Sequence, residues 1–189
     1  MRLRRTQFDA WFNPYLWCCA QHRERLVEKK DAALPPLSET LLEPDPHDAT
    51  ATVLELDELW SFVFKRVNKR WVWIALCRAT RQVVACVIGD RSAKTCRKLW
   101  EALPARYQTG HCYTDFWEAY QKVIPDEQHT ACGKETGETA HVERWNNTLR
   151  QRLARFVRKT LSFSKSDLMH EICLRLFLHR YNLSLCSPH

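Results

Sequence analysis

Glycine is scarce, with four in 189 residues. A glycine-rich phosphate loop or a dinucleotide fingerprint needs several glycines at close spacing, and neither pattern occurs. Internal repeats and low-complexity tracts are absent as well. Nine cysteines are present, yet no two stand in a CxxC pair. That removes the ligand spacing of the common structural zinc sites. The odd count, with Cys18 and Cys19 adjacent and the rest scattered, reads as reduced, mostly buried thiols rather than a disulfide framework. No stretch of about 18 consecutive apolar residues exists, so nothing reads as a membrane span. Met1 to Arg5 is basic, but no apolar run follows as it would in a secretory signal. The expected location is the cytoplasm.

What is there points elsewhere. The hydrophobic fraction is 45%, enough for a real core, and the formal net charge is +7. A basic balance favours a polyanionic partner, most simply nucleic acid, or marks a generically basic protein. Residues 1–50 differ from the rest: Phe8, Trp11, Phe12, Tyr15 and Cys19 recur at helical spacing around Asn13-Pro14, and Pro35, Pro36, Pro44 and Pro46 punctuate a linker-like stretch. The expected division is an arm over 1–50 and a core over 51–189.

Within the core, Val53 to Phe64, Arg70 to Arg78 and Gln82 to Ile88 are rich in β-formers and read as three strands joined by short turns. Ser92 reads as the N-cap of a helix whose apolar stripe is Ala93, Cys96, Leu99, Trp100 and Leu103, with Pro104 after it. Short strands at His111 to Thr114 and Gln128 to Cys132 flank a helix over Trp117 to Val123. A long helix is expected from about Glu138 to Val157 and a final one from about Ser164 to Leu183. Three meandering strands followed by alternating helices and strands give an α/β fold: a mixed five-stranded sheet with helices on both faces. RNase H-like folds use that order.

Three acidic residues stand in telling positions. Asp57 interrupts a β-forming run, VLELDELW, where an ionised carboxylate is costly unless paired or metal-bound. On that strand Glu55 and Leu59 share its face, and Leu56, Glu58 and Trp60 point the other way. Asp115 closes the short strand before FWEAY, either as a reactive group at a strand's carboxyl end or as a plain helix N-cap. Glu143 lies beside the apolar stripe Val142, Trp145, Leu149, Leu153 and Phe156, in line with Asn147 and Arg150. It is either a site residue presented across a sheet edge or an ordinary surface Glu. Oxygen-only ligands of this kind suit Mg²⁺ or Mn²⁺. Two such ions about 3.5–4 Å apart can serve an in-line displacement at phosphorus. Arg144, Arg150, Arg152, Arg155, Arg158 and Lys159 form a basic row on the same stretch. They read as a phosphate-binding surface or as a solvated face.

The blocks ELDELWSFV, NKRWVWIALCRATRQVVACVIGDRS, YTDFWEAY and GKETGETAHVERWNNTLRQRLARFVRKTLSFSKS closely resemble transposases of the insertion sequence 1 family, over roughly Val53 to the C-terminus. The resemblance implies a bacterial, nucleoid-associated DDE-type DNA transposase with an RNase H-like core and Asp57, Asp115 and Glu143 as catalytic, metal-binding triad. It implies Mg²⁺ or Mn²⁺, two ions, and DNA as partner at both element ends and target. Lys134 of the GKETGE loop, Asn147 and the basic row would contact DNA, with a homo-oligomer assembled on it. The family usually carries an upstream zinc and helix-turn-helix region, often joined by frameshifting, and residues 1–50 show neither motif. Two other readings stand beside this one. One is a non-catalytic DNA-binding remnant that inhibits the full-length enzyme. The other is an RNase H-like nuclease acting on another substrate, such as an RNA–DNA hybrid.

Overall fold

A computed structural model describes residues 24–45 and 47–186. The chain divides into two units, residues 1–34 and 35–189. In the first, residues 24–32 are helical; the apolar pattern read around Trp11 lies outside the described residues.

Alternation along the first strand sets the two faces of the sheet. β1 (Leu54–Phe62) sends Leu54 and Leu56 into one apolar cluster and Leu59 into the other. β2 (Lys69–Cys77) and β3 (Val83–Gly89) continue it as an antiparallel meander. A bulge opposite Ala75 and Leu76 inserts Val84 as an extra residue, so that Val83 faces one cluster while Val84 and Ala85 face the other. β4 (Cys112–Thr114) and β5 (His129–Ala131) then add in parallel on the free edge of β1, giving the order β3-β2-β1-β4-β5. The mixed five-stranded sheet is therefore the RNase H-like arrangement expected from the element order.

Helices cover both faces. On the first lie α1 (Ala93–Glu101), α2 (Ala105–Gln108) and α3 (Glu118–Gln121). They bury Cys96, Leu99, Tyr107 and Tyr120 against Leu54, Leu56 and Trp73. Ser92 caps α1 as expected, its hydroxyl accepting from Thr95 N–H at 3.4 Å. The single turn of α2 went unread in the sequence. α3 is shorter than the expected Trp117–Val123. Trp117 stays extended at its start, and Val123 N–H bonds back only three residues to Tyr120 ahead of Pro125. On the second face lie α4 (Ala140–Arg152) and α5 (Asp167–Cys186). They bury Val142, Trp145, Leu149, Leu174 and Leu178 against Leu59, Val72 and Ile74.

The long helix expected to reach Val157 ends at Arg152. Leu153 turns extended (φ −121°, ψ 96°), and a 3₁₀ turn over Ala154–Phe156 drives Phe156 fully into the core. Arg155, Arg158 and Lys159 consequently lie beyond the helix, and the basic row is not one helical face. Within the stretch read as a linker, Leu37–Thr40 forms a 3₁₀ turn. There Gln82 accepts from Leu42 N–H (2.8 Å) and donates to Thr40 C=O (2.9 Å), while Asn182 donates to Thr40 Oγ1 (2.9 Å). Among the described residues no helix is long and apolar enough to cross a membrane.

Candidate active site

β4 is short, and that shortness makes the site. It pairs with β1 only at Leu54↔Cys112 and Glu55↔Tyr113 and stops at Thr114. Past that point, among the described residues, no strand pairs with that edge of β1, and Asp57, Glu58 and Asp115 meet at the opening. Although Asp57 and Glu58 leave the strand on opposite faces, both reach this edge. Oxygens of Asp57, Glu58 and Asp115 lie within 4.8 Å of one another. They open into a cleft of about 480 Å³ that is also lined by Lys134, Glu143, Asn146, Asn147, Arg150 and Arg158.

Each acid is held differently. Asp57 accepts from Glu58 N–H (2.8 Å) on one oxygen and from the Asn146 side-chain amide (2.7 Å) on the other. Burial, then the negative charge of Glu58, and to a lesser degree those of Asp115 and Glu143, push its carboxyl up to about 7. Glu58, 8% exposed, accepts from Tyr120 O–H (2.7 Å) and from Arg91 (2.8 and 2.5 Å). Burial still raises its pKa above the usual carboxylate range, because those donors only partly offset the loss of water. Asp115 spends one oxygen on Trp117 N–H (2.9 Å), an Asx turn that directs the chain into α3 rather than a cap on the helix itself.

Glu143 is presented by α4, one wall of the cleft. It stands outside the group of mutually close carboxylates, but its charge acts on Asp57. The start of α4 is fixed by Glu55, which is fully buried. Its two oxygens accept from His141 N–H (3.0 Å), Val142 N–H (3.1 Å), His141 Nδ1 (2.6 Å) and Arg78 Nε (2.8 Å). A strand carboxylate thus caps the helix that carries Glu143 and Asn146 and suits the positive end of its dipole.

Of the cations expected to meet DNA, Lys134, Arg150 and Arg158 line the cleft, together with Asn147. Arg150 keeps a buried Nε without a partner, and burial followed by the charge of Arg158 lowers its pKa. Arg158 also stacks on Trp60 at 5.2 Å. Arg144 lines a separate depression with Arg81 and Tyr181. Arg152 and Lys159 are exposed away from the cleft lining, and Arg155 sits in the turn after α4. Sequence reasoning missed Glu58, Arg91 and Asn146. Asn146 was within reach, because it stands three residues from Glu143 and so shares its side of the helix.

The donor set is all oxygen, and it includes a buried Asn146 Oδ1 without a partner beside Asp57. Crowded carboxylates, two of them disfavoured in their charged form, suit a hard divalent cation. The profile of the IS1 transposase family matches residues 51–183. The chain belongs to the IS1 transposase family. Among its relatives, the insertion element iso-IS1n protein InsB of Shigella dysenteriae is 37% identical over 133 residues, covering 69% of this chain and 97% of the relative. The insertion element IS1 protein InsB of Shigella flexneri is 36% identical over 125 residues, 66% and 92% of the two chains. An IS1 InsB of Escherichia coli K12 is 34% identical over 125 residues, 66% and 72%. The IS1 match begins at residue 51, three residues before β1, and takes in every element that builds the cleft.

Proposed function

We propose that this chain is the catalytic core of a DDE-type DNA transposase. It cleaves phosphodiesters at the ends of an insertion element and transfers the 3′-hydroxyl ends into target DNA in the bacterial cytoplasm. The observation that carries this reading is the convergence of Asp57 and Asp115 at the open edge of β1, in a cleft walled by Glu143 and flanked by Lys134, Arg150 and Arg158. Asp57, Asp115 and Glu143 are the residues that would hold two Mg²⁺ or Mn²⁺ ions, with Glu58 adjoining them. When bound, such ions supply Lewis-acid stabilisation to both oxygens of an in-line displacement.

The chain's own residues do the rest. Glu55 fixes the start of α4, so that Glu143 and Asn146 face Asp57. Asn146 orients the Asp57 carboxylate through its amide. Arg150 and Arg158 meet the phosphates of the incoming strand, and the unpartnered Arg150 Nε is a donor available to one. Burial of Asp57 and Glu58 lowers the effective dielectric around them, which strengthens charge–charge contacts there.

The test uses the full chain with a pre-cleaved duplex carrying element-end sequence, a supercoiled plasmid target, and Mg²⁺ or Mn²⁺. Asp115→Asn is expected to reduce joining and nicking to background while salt-dependent DNA binding persists. Undiminished joining by that variant overturns the assignment. DNA binding by the parent chain without nicking in either metal favours the non-catalytic remnant.

A further inference from the structure

Arg91 occupies the turn between β3 and α1, on the sheet face opposite α4, and lines the same cleft as Asp57 and Asp115. Its guanidinium lies over two indoles, 4.7 Å from the Trp71 ring centroid and 4.1 Å from that of Trp117. Its hydrogen-bond donors point outward in the plane of the group, so the two ring contacts leave them available. One side of that rim, Nε and Nη2, meets a single oxygen of Glu58 at 2.8 and 2.5 Å. Asp90, its neighbour in sequence, takes the hydroxyls of Ser92 and Thr95 on one oxygen, both at 2.5 Å, and the ion pair of Arg91 is with Glu58 instead. The far rim, Nη1 with the outer hydrogen of Nη2, keeps its donors, in a group held by Glu58 and two ring contacts.

A simple counter-ion for Glu58 would be buried with it. Instead the Glu58 side chain is 1% exposed and that of Arg91 is 36% exposed. The exposed part borders a cleft whose other wall carries Arg150 and Arg158. A planar donor fork held at fixed orientation matches the bidentate geometry of a phosphate. We propose that Arg91 is a phosphate-binding residue, whose outer rim takes one phosphodiester of the DNA strand running past Asp57 and Asp115. Glu58 and the two tryptophans set its orientation. Cations on both faces of the sheet then hold the strand across the acids. The proposal rests on the DNA reading above.

Binding without divalent metal separates this role from catalysis. The full chain is titrated against a fluorescent duplex in EDTA across a salt series, read by anisotropy. Arg91→Gln is expected to weaken binding and to reduce the log–log salt slope by about 1, the signature of one lost phosphate contact. Arg91→Lys should recover the slope but only part of the affinity, because an ammonium has no fork. The double variant Glu58→Gln/Arg91→Gln removes any unpaired buried charge, so it should fold and yet bind as weakly as Arg91→Gln. A methylphosphonate scan of the duplex adds a positional readout: one substituted phosphate should weaken the parent chain and leave Arg91→Gln unaffected. Parent-like affinity and slope in the double variant would show Arg91 to be a counter-ion only and overturn the proposal. Persistent strand transfer alongside that result leaves the transposase reading standing. Failure of the parent chain to bind any DNA overturns both.

Discussion

Glu55 and Asp57 stand two residues apart on one face of one strand, and their surroundings are opposites. Glu55 is fully buried, yet it faces Arg78, His141 and two helix amides, so each oxygen is satisfied. Asp57 faces Glu58, Asp115 and Glu143, and receives only an amide on each oxygen. Burial alone does not distinguish a structural acid from a reactive one. The sign of the neighbouring charge does, because a carboxylate among carboxylates is relieved only when a proton or a metal cation joins it.

The largest effects test that contrast directly. Glu55→Ala should destabilise the fold by about 3–5 kcal/mol, since it strands the Arg78 guanidinium and two helix-terminal amides. The lower end of that range is expected because Arg78 keeps Glu138 at 2.8 Å. Asp57→Asn should do the reverse, stabilising the metal-free protein by as much as about 4 kcal/mol at neutral pH, because it relieves a carboxyl held about three units above its ordinary value. Flipping the Asn146 amide lets its Oδ1 accept from the new amide. Urea unfolding at pH 7.5 in EDTA checks both. Two variants that destabilise alike would erase the distinction between the acids.

His170 is saturated in the manner of Glu55, but by neutral partners. Its ring bonds Ser61 Oγ and Ser164 Oγ, each at 2.8 Å, and stacks on Phe156 at 4.3 Å. Burial, reinforced by the charge of Arg155, holds the imidazole neutral down to about 4, against an ordinary 6.5. The unfolded chain therefore takes a proton through a window in which the folded chain does not. Stability from this residue is complete above pH 6.5 and is lost as pH falls toward 4, by about 3 kcal/mol in all. His170→Leu should be less stable at pH 7 but should flatten the slope between pH 6.5 and 4.5 in urea midpoints. An unchanged slope would show that the ring is protonated in the fold.

The strands and the two faces were legible because alternation and β-branched runs encode them locally. Asp57 and Asp115 were legible for a related reason, since an acid inside a strand or at its end stands out against its neighbours. The break at Leu153 was not, because the apolar stripe continues through Phe156 and only tertiary packing decides that Phe156 reaches the core by a turn. Glu58 was set aside on correct grounds, its opposite orientation on β1. The end of β4 at Thr114 was legible, but its register on β1, Cys112 against Leu54, was not, and that register lets both faces of β1 reach one opening. Arg91 carried no signal at all: its two indoles lie at Trp71 and Trp117, far from it in the chain.

Asn146 gives the subtlest test, because it touches the open acid without adding charge. Its amide donates to Asp57, and this orientation leaves Oδ1 buried without a donor. An orphaned oxygen costs the fold, so its persistence beside the acids is consistent with an outer partner for a cation or its water. Asn146→Ala should weaken Mn²⁺ binding by about 10–100-fold, measured by calorimetric titration, with a smaller loss of stability. If the residue only orients Asp57, saturating Mn²⁺ should restore most of the strand transfer, whereas Asp57→Asn should remain inactive at any metal concentration. An unaltered Mn²⁺ affinity in Asn146→Ala would mean that Asp57 needs no second residue to aim it, and that its difference from Glu55 lies in charge alone.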